Sequence, residues 1–238
     1  MPRDLHTRLE ALIAAAEPGE RLPSEPKLAR QLGVSRATLR EAMRVFETRG
    51  LIWRRQGSGT FVSKDMPVLE SGLEVLESID TLARRKGMDI AISNLAVVPM
   101  HNSDYAQKLD VPSETLLTYV ERIVHIDEKP VAWLIDILPA EVLAPDDLPE
   151  NFRGSVLDYL LTRGAAAQQS RTEVTAIGAP ADIAKKLHIQ RGDVLLAFEA
   201  WLYSNENHIL AYSRSYFLPG HFKFHIVRRV SNLPPERF

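Results

Sequence analysis

The N-terminal part contains an informative run of residues, Leu22-Pro23-Ser24-Glu25-Pro26-Lys27-Leu28-Ala29-Arg30-Gln31-Leu32-Gly33-Val34-Ser35-Arg36-Ala37-Thr38-Leu39-Arg40-Glu41-Ala42. Ser24 is typical of the start of a helix and Gly33 of its end. Ser35 then begins a further helix that extends to about Arg49. The connection between the two helices is very short, which forces a large crossing angle. The stretch therefore predicts a helix-turn-helix.

The flanking residues extend this unit on both sides. An earlier helix is predicted by apolar residues at helical spacing, namely Leu5, Leu9, Leu12, Ile13 and Ala16. After Gly50 two β-prone runs, 51–55 and 60–62, flank the small-residue turn 56–59, which predicts a hairpin or wing. Apolar residues at helical spacing from Val68 predict another amphipathic helix that ends near Lys86.

The rest of the chain contains an internal duplication. The run Tyr105-Ala-Gln-Lys-Leu109 has its counterpart in Ile183-Ala-Lys-Lys-Leu187, 78 residues later. The run Leu117-Thr-Tyr-Val-Glu121 has its counterpart in Leu195-Leu-Ala-Phe-Glu199 at the same offset. Each copy is predicted as helix, strand, polar turn and strand, with added strands near 89–98 and 170–178. We expect one antiparallel sheet with helices packed on it, and hence an α+β fold.

Composition and charge limit the classes of protein. Hydrophobic residues make up 45% of the chain and charged residues 25%, which excludes wholesale disorder. The absence of Cys excludes disulfides and a thiolate nucleophile and suggests a cytoplasmic location. No apolar run is long enough for a membrane span, so no membrane partner is expected. Residues 1–64 carry a formal charge of +5 and residues 65–238 one of −7, which suggests nucleic-acid binding at the N-terminal end.

Three arginines on the third predicted helix are the main candidates for DNA contact. Arg36, Arg40 and Arg44 lie four residues apart, so they share one helix face opposite the apolar one. The arginine fork can donate two hydrogen bonds to guanine in the major groove. Ser35 and Thr38, at the helix N-terminus, are placed to hold a phosphate. The alternative is a solvated helix face, which the spacing alone does not exclude; the helix-turn-helix and the basic charge favour DNA.

The segment 22–62 resembles the winged helix-turn-helix of the GntR family of bacterial transcription regulators. The resemblance lies in the runs Leu-Pro-Ser-Glu at 22–25, Leu-Gly-Val-Ser-Arg at 32–36, Thr-Leu-Arg-Glu-Ala at 38–42 and Gly-Ser-Gly-Thr-Phe-Val at 57–62. That family usually has a DNA-contacting arginine where this chain has Pro26, and Lys27 is a candidate to compensate. Further candidates for DNA contact lie in the wing, namely Arg54, Gln56, Gly57 and Thr60.

Residues from about 86 to 230 resemble the effector domain of the HutC-type branch, the UTRA domain, which is similar in fold to chorismate lyase. The resemblance implies an effector pocket around a strand-borne arginine, here Arg122, with five further candidates in Ser93, Asp136, Tyr212, Ser215 and Tyr216. Phosphate- and carboxylate-binding members often carry a second arginine where this chain has Val124. The acidic pair that is usual in the next strand is replaced by Leu134-Ile135, with Asp136 one place on. We therefore expect one cationic anchor in a less polar pocket, and a mono-anionic or largely apolar effector. The alternative for Arg122 is an ion pair with Glu121 or a neighbour.

Enzymatic and metal-binding alternatives have little support in the sequence. The run Ser24-Glu-Pro-Lys27 has the Ser-x-x-Lys spacing but lacks partner motifs. His221 and His225 are four residues apart, yet they follow Pro219-Gly220 in a strand-like region without the glutamate of a zinc motif. A chorismate-lyase-like domain acting on a small organic acid stays the alternative function. We expect no enzyme activity, no cofactor and no metal.

These observations predict a two-domain DNA-binding regulator. Residues 1–64 form the winged helix-turn-helix, 65–88 a linker and connecting helix, and 89–238 the effector-binding and dimerisation domain. One small head buries too little surface for tight specific binding, so we expect a homodimer on a pseudo-palindromic double-stranded operator. A small-molecule effector would shift the population that fits the operator, with repression relieved by effector as the favoured sense.

Overall fold

The computed structural model describes residues 2–48, 50–55, 58–63, 68–149, 152 and 154–228. The N-terminal unit, called the head below, consists of three helices and a hairpin: α1 (Pro2–Ala14), α2 (Glu25–Leu32), α3 (Arg36–Thr48), β1 (Ile52–Arg55) and β2 (Gly59–Val62). The predicted helix-turn-helix and wing hairpin are confirmed. Within the described ranges, no helix combines the length and the apolar composition that crossing a bilayer requires.

The turn between α2 and α3 has the local geometry that its residues favour. Gly33 takes a left-handed conformation with φ of 66°, which ends α2 without the steric cost of a Cβ. The Ser35 hydroxyl accepts the backbone N–H of Thr38 and so caps α3. The head core that this turn allows is apolar and well buried, and its largest members are Leu9, Leu28, Leu39, Met43, Phe46 and Ile52.

The segment after the head differs from the sequence prediction. Instead of one helix over 68–86, the structure has a strand β3 (Leu69–Gly72) followed by a shorter helix α4 (Ile79–Arg85). The strand pairs in parallel with β10 (Phe222–His225), which buries Leu69 and Ser71. The helical prediction was wrong here because a strand about 150 residues away supplies backbone hydrogen bonds, and tertiary pairing outweighs local propensity.

The remaining elements build the second domain. In chain order they are β4 (Ala91–Met100), α5 (Ser103–Leu109), β5 (Leu117–Ile126), β6 (Lys129–Pro139), a 3₁₀ turn (Pro145–Asp147), α6 (Val156–Thr162), β7 (Ala167–Gly178), α7 (Ala181–Lys186), β8 (Val194–Ser204) and β9 (Ile209–Phe217). Six strands form one antiparallel sheet in the order β4-β5-β6-β9-β8-β7. Each sequence copy supplies three neighbouring strands, and the copies meet at the β6–β9 pair. The predicted duplication and antiparallel sheet are confirmed.

Two reciprocal ion pairs join the duplicated halves. Lys108 on α5 lies 3.4 Å from Glu199 on β8. Lys186 on α7 lies 2.9 Å from Glu121 on β5. Both the lysines and the glutamates are 78 residues apart, so each half supplies the cation to one pair and the anion to the other. Helices α5 and α7 thus cover the same face of the sheet, over the apolar cluster that contains Trp133, Tyr212 and Tyr216.

The opposite face of the sheet is only partly covered. Helices α4 and α6 and the β3–β10 ribbon pack against it through two smaller apolar clusters. Even-numbered residues of β5 and β6, such as Arg122 and Asp136, point to this face, whereas odd-numbered ones such as Ile123 and Ile137 point to α5 and α7. The space left between the sheet, α4 and α6 is a cavity.

Candidate DNA interface and effector cavity

The N-terminal half of α3 is exposed. Ser35 and Thr38 both face outward, and their hydroxyl oxygens are 2.8 Å apart. Arg36 is exposed and makes no hydrogen bond or ion pair with any residue that the structure describes. Lys27, one turn into α2, is exposed as well. This end of α3 therefore offers hydroxyls, a free guanidinium and the helix N-terminus to an anionic partner.

Arg40 lies one turn further along α3 and is held from the side. Its Nη2 atom lies 2.9 Å from an oxygen of Glu25 on α2, while 60% of the Arg40 side chain stays exposed. Its Nε and Nη2 atoms both donate to the same Glu25 oxygen, so the Nη1 edge of the guanidinium is not used by Glu25, and Arg40 also lines the groove between the head and the second domain. The arrangement can orient Arg40 for a bidentate contact with a base.

Two wing candidates have structural roles inside the head. Arg54 bridges β1 to α2 and α3, with its Nη1 atom 3.7 Å from Glu25 and its Nε atom 3.4 Å from Glu47. Thr60 is only 7% exposed, because the alternation of β2 turns Thr60 and Val62 inward. The expectation that Thr60 reaches DNA is therefore not supported by its position. Gln56 and Gly57, the other wing candidates, lie outside the described residues.

Arg44, the third arginine of α3, is docked on the second domain. Its Nη2 atom lies 3.1 Å from Oδ1 of Asp193, and its Nη1 atom donates to Gln190 and, at 3.0 Å, to Glu41. The side chain of Asp193 is only 9% exposed in this arrangement. We call the pairing of Arg44 with Asp193 and Gln190 the docking contact. The sequence prediction of three outward-facing arginines thus holds for Arg36 and Arg40 but not for Arg44.

A second contact between the domains supports this docked position. The ammonium of Lys129, at the start of β6, lies 5.5 Å from the ring centre of Trp53 on β1, a cation–π distance. A groove of about 580 Å³ runs between the domains here, and His221 lines it. Burial lowers the pKa of His221 to about 4, and the charge of Lys129 adds to that effect. Since residues 222–225 form a strand, His225 does not share a helix face with His221, and the metal-motif spacing does not apply.

The second domain contains a cavity of about 600 Å³ on the open face of its sheet. Arg122 on β5 lines it and is 5% exposed. Its Nη1 atom donates to Oδ2 of Asp136 on β6 at 2.6 Å. Ser213 on β9 donates to the other Asp136 oxygen, also at 2.6 Å. Ser215, two residues further along β9, lines the same cavity.

The structure thus brings together three of the six predicted effector residues, Arg122, Asp136 and Ser215. Arg122 is the one cation among the described residues that line the cavity, as expected, and it is paired with Asp136. Glu121, named beforehand as a possible partner of Arg122, is on the other face of the sheet with Lys186.

The other three candidates are elsewhere. Ser93 bonds His125 at 2.7 Å and does not line the cavity. Tyr212 and Tyr216 belong to the cluster under α5 and α7, because β9 pairs Tyr212 with Ile137 and Ser213 with Asp136. Burial raises the pKa of both tyrosines, as expected for phenols in a packed core.

Several cavity residues were missed by the sequence reasoning. They are hydroxyl- and amide-bearing side chains from β3, β7, β9 and the start of α4, including Ser71, Ser78, Gln168, Ser170, Thr172 and Ser213. The alternation of β7 could have indicated one polar face, but its partner elements were not predictable. Ser71 in particular lies on the strand that was predicted to be helical.

Comparisons with known proteins agree with this architecture. The family model described as bacterial regulatory proteins, gntR family, matches residues 3–62, and the UTRA domain model matches residues 84–223. A histidine utilization repressor of Pseudomonas aeruginosa is 31% identical over 207 residues, which cover 82% of this chain and 80% of that protein. The HTH-type transcriptional repressor NagR of Bacillus subtilis is 27% identical, with 90% of this chain and 88% of that protein covered. The crystal structure of PhnF from Mycobacterium smegmatis shares the fold, with a TM-score of 0.65, 20% identity and coverage of 95% of this chain and 100% of that one.

A winged helix-turn-helix joined to a duplicated sheet with an internal cavity defines a DNA-binding regulator with a ligand-sensing domain. The chain belongs to the GntR family of bacterial transcription regulators, in the HutC-like branch that carries a UTRA domain. Since the matched families and relatives are regulators, the alternative of an enzyme acting on a small organic acid is not favoured.

Proposed function

We propose that this regulator is a homodimeric repressor that binds a pseudo-palindromic operator and releases it when a small molecule fills the cavity of the UTRA domain. The observation that carries the proposal is the exposed N-terminal half of α3, where Arg36 and Arg40 face outward beside Ser35 and Thr38. The repressive sense is supported by relatives that are named repressors. For DNA contact we retain these four residues and Lys27, and for effector contact Arg122, Asp136 and Ser215.

A dimer follows from the size of the reading surface. A single α3 reaches only a few base pairs of one major groove, and two heads related by a two-fold axis read two half-sites about one helical turn apart. Specific complexes bury far more surface than one head of this size can supply.

This part of the proposal is tested by selecting bound duplexes from a random library with the full chain. We expect an inverted repeat and, in sedimentation of the complex, two chains per duplex. Recovery of a single unrepeated half-site bound by one chain would contradict the dimer, and failure to enrich any sequence would contradict the regulator itself.

The docking contact offers a route from the cavity to the head. Asp193 immediately precedes β8, and Lys129 begins β6. Both strands line the cavity further along, β8 through Phe198 and β6 through Asp136. A ligand that shifts either strand therefore acts on the residues that hold Arg44 and Trp53. The docked head keeps Arg44 away from DNA, so docked and DNA-bound states compete for the same side chain.

Weakening the docking contact is expected to strengthen DNA binding. Asp193→Asn keeps the acceptor oxygen that receives the Gln190 N–H but removes the charge that holds Arg44. A hydrogen bond to a charged group contributes about 1.5–3 kcal/mol and one to a neutral amide oxygen about 0.5–1.5 kcal/mol, so the docked state should lose about 1 kcal/mol and operator affinity without effector should rise roughly 5-fold. Fluorescence anisotropy with a labelled operator measures this change.

The matched control is Asp89→Asn, an exposed aspartate outside the docking contact. It should leave operator affinity unchanged. Unchanged or weaker binding by Asp193→Asn would show that the docked head does not compete with DNA.

A further inference from the structure

We propose that Asp136 makes the effector cavity selective against phosphorylated and other multiply negative ligands, so that the effector is an uncharged or zwitterionic small molecule. The inference rests on the proposed function of the cavity as the effector site.

The first support is the charge balance of the cavity. Among the described residues that line it, Arg122 is the single cation, whereas Asp136, Glu74 and Glu77 are carboxylates. Glu77 is paired with Arg85 at 2.6 Å, and Glu74 accepts the backbone N–H of Val227. The positive charge of Arg122 is therefore already matched by Asp136, and the described lining residues supply no further cation for a ligand anion.

The second support is the closeness of the Arg122–Asp136 pair. The two groups are 2.6 Å apart, with side-chain exposures of 6% and 16%. Ser213 holds the second oxygen of Asp136, so the carboxylate is fixed beside the guanidinium. A phosphate that approached Arg122 would place its charge next to Asp136, and repulsion between like charges is strong where water is scarce.

The pair nevertheless leaves room for an uncharged or zwitterionic ligand. The Nε atom of Arg122 is buried and has no hydrogen-bond partner among the described residues. A ligand ammonium or hydroxyl group can instead donate to Asp136 or Glu74, which line the cavity. The hydroxyls and amides of β3, β7 and β9 offer further uncharged hydrogen bonds, and Phe198, Phe217 and Phe224 offer apolar contact.

The acidic groups behind the pair act in the same direction. Asp80 on α4 is close enough to Arg122 for the guanidinium to oppose the rise that burial causes in the pKa of Asp80. Asp158 on α6 accepts hydrogen bonds from Ser78 and Thr81 at 2.6 and 2.9 Å and is 3.4 Å from Arg84. Asp158 is thus paired with Arg84, whereas the field of Arg122 is shared between Asp136 and Asp80.

Inorganic phosphate is the probe that tests the proposal with the full chain. Titration calorimetry at constant ionic strength should show no saturable phosphate binding to the wild type. Asp136→Asn frees Arg122 and should bind phosphate saturably, with a higher melting temperature in phosphate than in chloride. Adding Arg122→Met to that variant should abolish the gain, and Asp89→Asn should behave as the wild type.

Two results would overturn the proposal. One is saturable phosphate binding by the wild type that Arg122→Met removes; the other is a folded Asp136→Asn variant that gains no phosphate binding. If Asp136→Asn does not fold, Asp136→Ser, refolded in the presence of phosphate, tests the same gain in phosphate binding. The wild-type titration tests independently whether the unmodified cavity binds phosphate. Operator binding is measured on the same samples. Retained operator binding with the wrong phosphate result would contradict only the charge selectivity of the cavity, whereas absence of operator binding would contradict the proposed regulator function.

Discussion

Replacing Arg40 by alanine is expected to reduce the preference for operator over random duplex by about 1–3 kcal/mol per half-site, and so by about 2–6 kcal/mol for a dimer. Arg40 is 60% exposed and is supported by Glu25 on one edge, which leaves a fork of N–H groups for a guanine. Alanine removes the fork and leaves the buried side of α3 intact. Competition anisotropy with operator and scrambled duplexes measures the preference directly.

Two further variants separate base reading from charge. Arg40→Lys keeps the positive charge but not the planar fork, so it should retain binding to random duplex and still lose most of the preference. Glu25→Gln removes the charged partner of Arg40 but leaves Arg40 itself in place. It should therefore reduce the preference for operator by less than Arg40→Ala does. An equal loss on operator and scrambled duplex in Arg40→Ala would contradict base reading by this residue.

The second large effect is expected in the UTRA domain. Arg122→Ala should destabilise it by about 3–5 kcal/mol, because Asp136 is left as a buried carboxylate without its cation. Urea unfolding followed by tryptophan fluorescence reports the free energy of unfolding. The double variant Arg122→Met/Asp136→Leu removes both charges and should recover most of the loss. A stability unchanged in Arg122→Ala would mean that the pair is solvated rather than buried.

The same variants test the effector response. Below their unfolding transitions, both Arg122→Ala and the double variant should bind operator as the wild type does, because Arg122 does not contact the head. Both should fail to release operator when an effector is added. A normal effector response in the folded double variant would remove Arg122 and Asp136 from the effector site.

The head could be predicted in detail because its signals are local. Gly33 ends α2 and Ser35 caps α3, whereas Ser24 precedes α2 without a side-chain capping bond. The apolar stripe of α3 leaves one face for Arg36 and Arg40. The duplication was equally visible, since it is a comparison of the chain with itself. Both predictions required no knowledge of which distant segments meet.

The features that could not be predicted all depend on such meetings. Nothing near Leu69 indicates that Phe222–His225 will pair with it. The β6–β9 register, which puts Ser213 beside Asp136 and turns Tyr212 to the other face, is fixed by the whole sheet and not by either strand. The role of Arg44 is similar, because its partner Asp193 is 149 residues away.

The docking contact has a consequence for how ionic strength acts on this regulator. Binding to DNA releases condensed counterions, so the logarithm of the affinity normally falls linearly with the logarithm of the salt concentration. The slope is proportional to the number of phosphates that the protein neutralises. Here added salt also weakens the pull of Asp193 on Arg44 and so populates the undocked head. The two effects oppose each other, so the operator affinity should depend less on salt concentration than the number of arginines implies. Removing the Arg44–Asp193 pair should restore the full salt dependence.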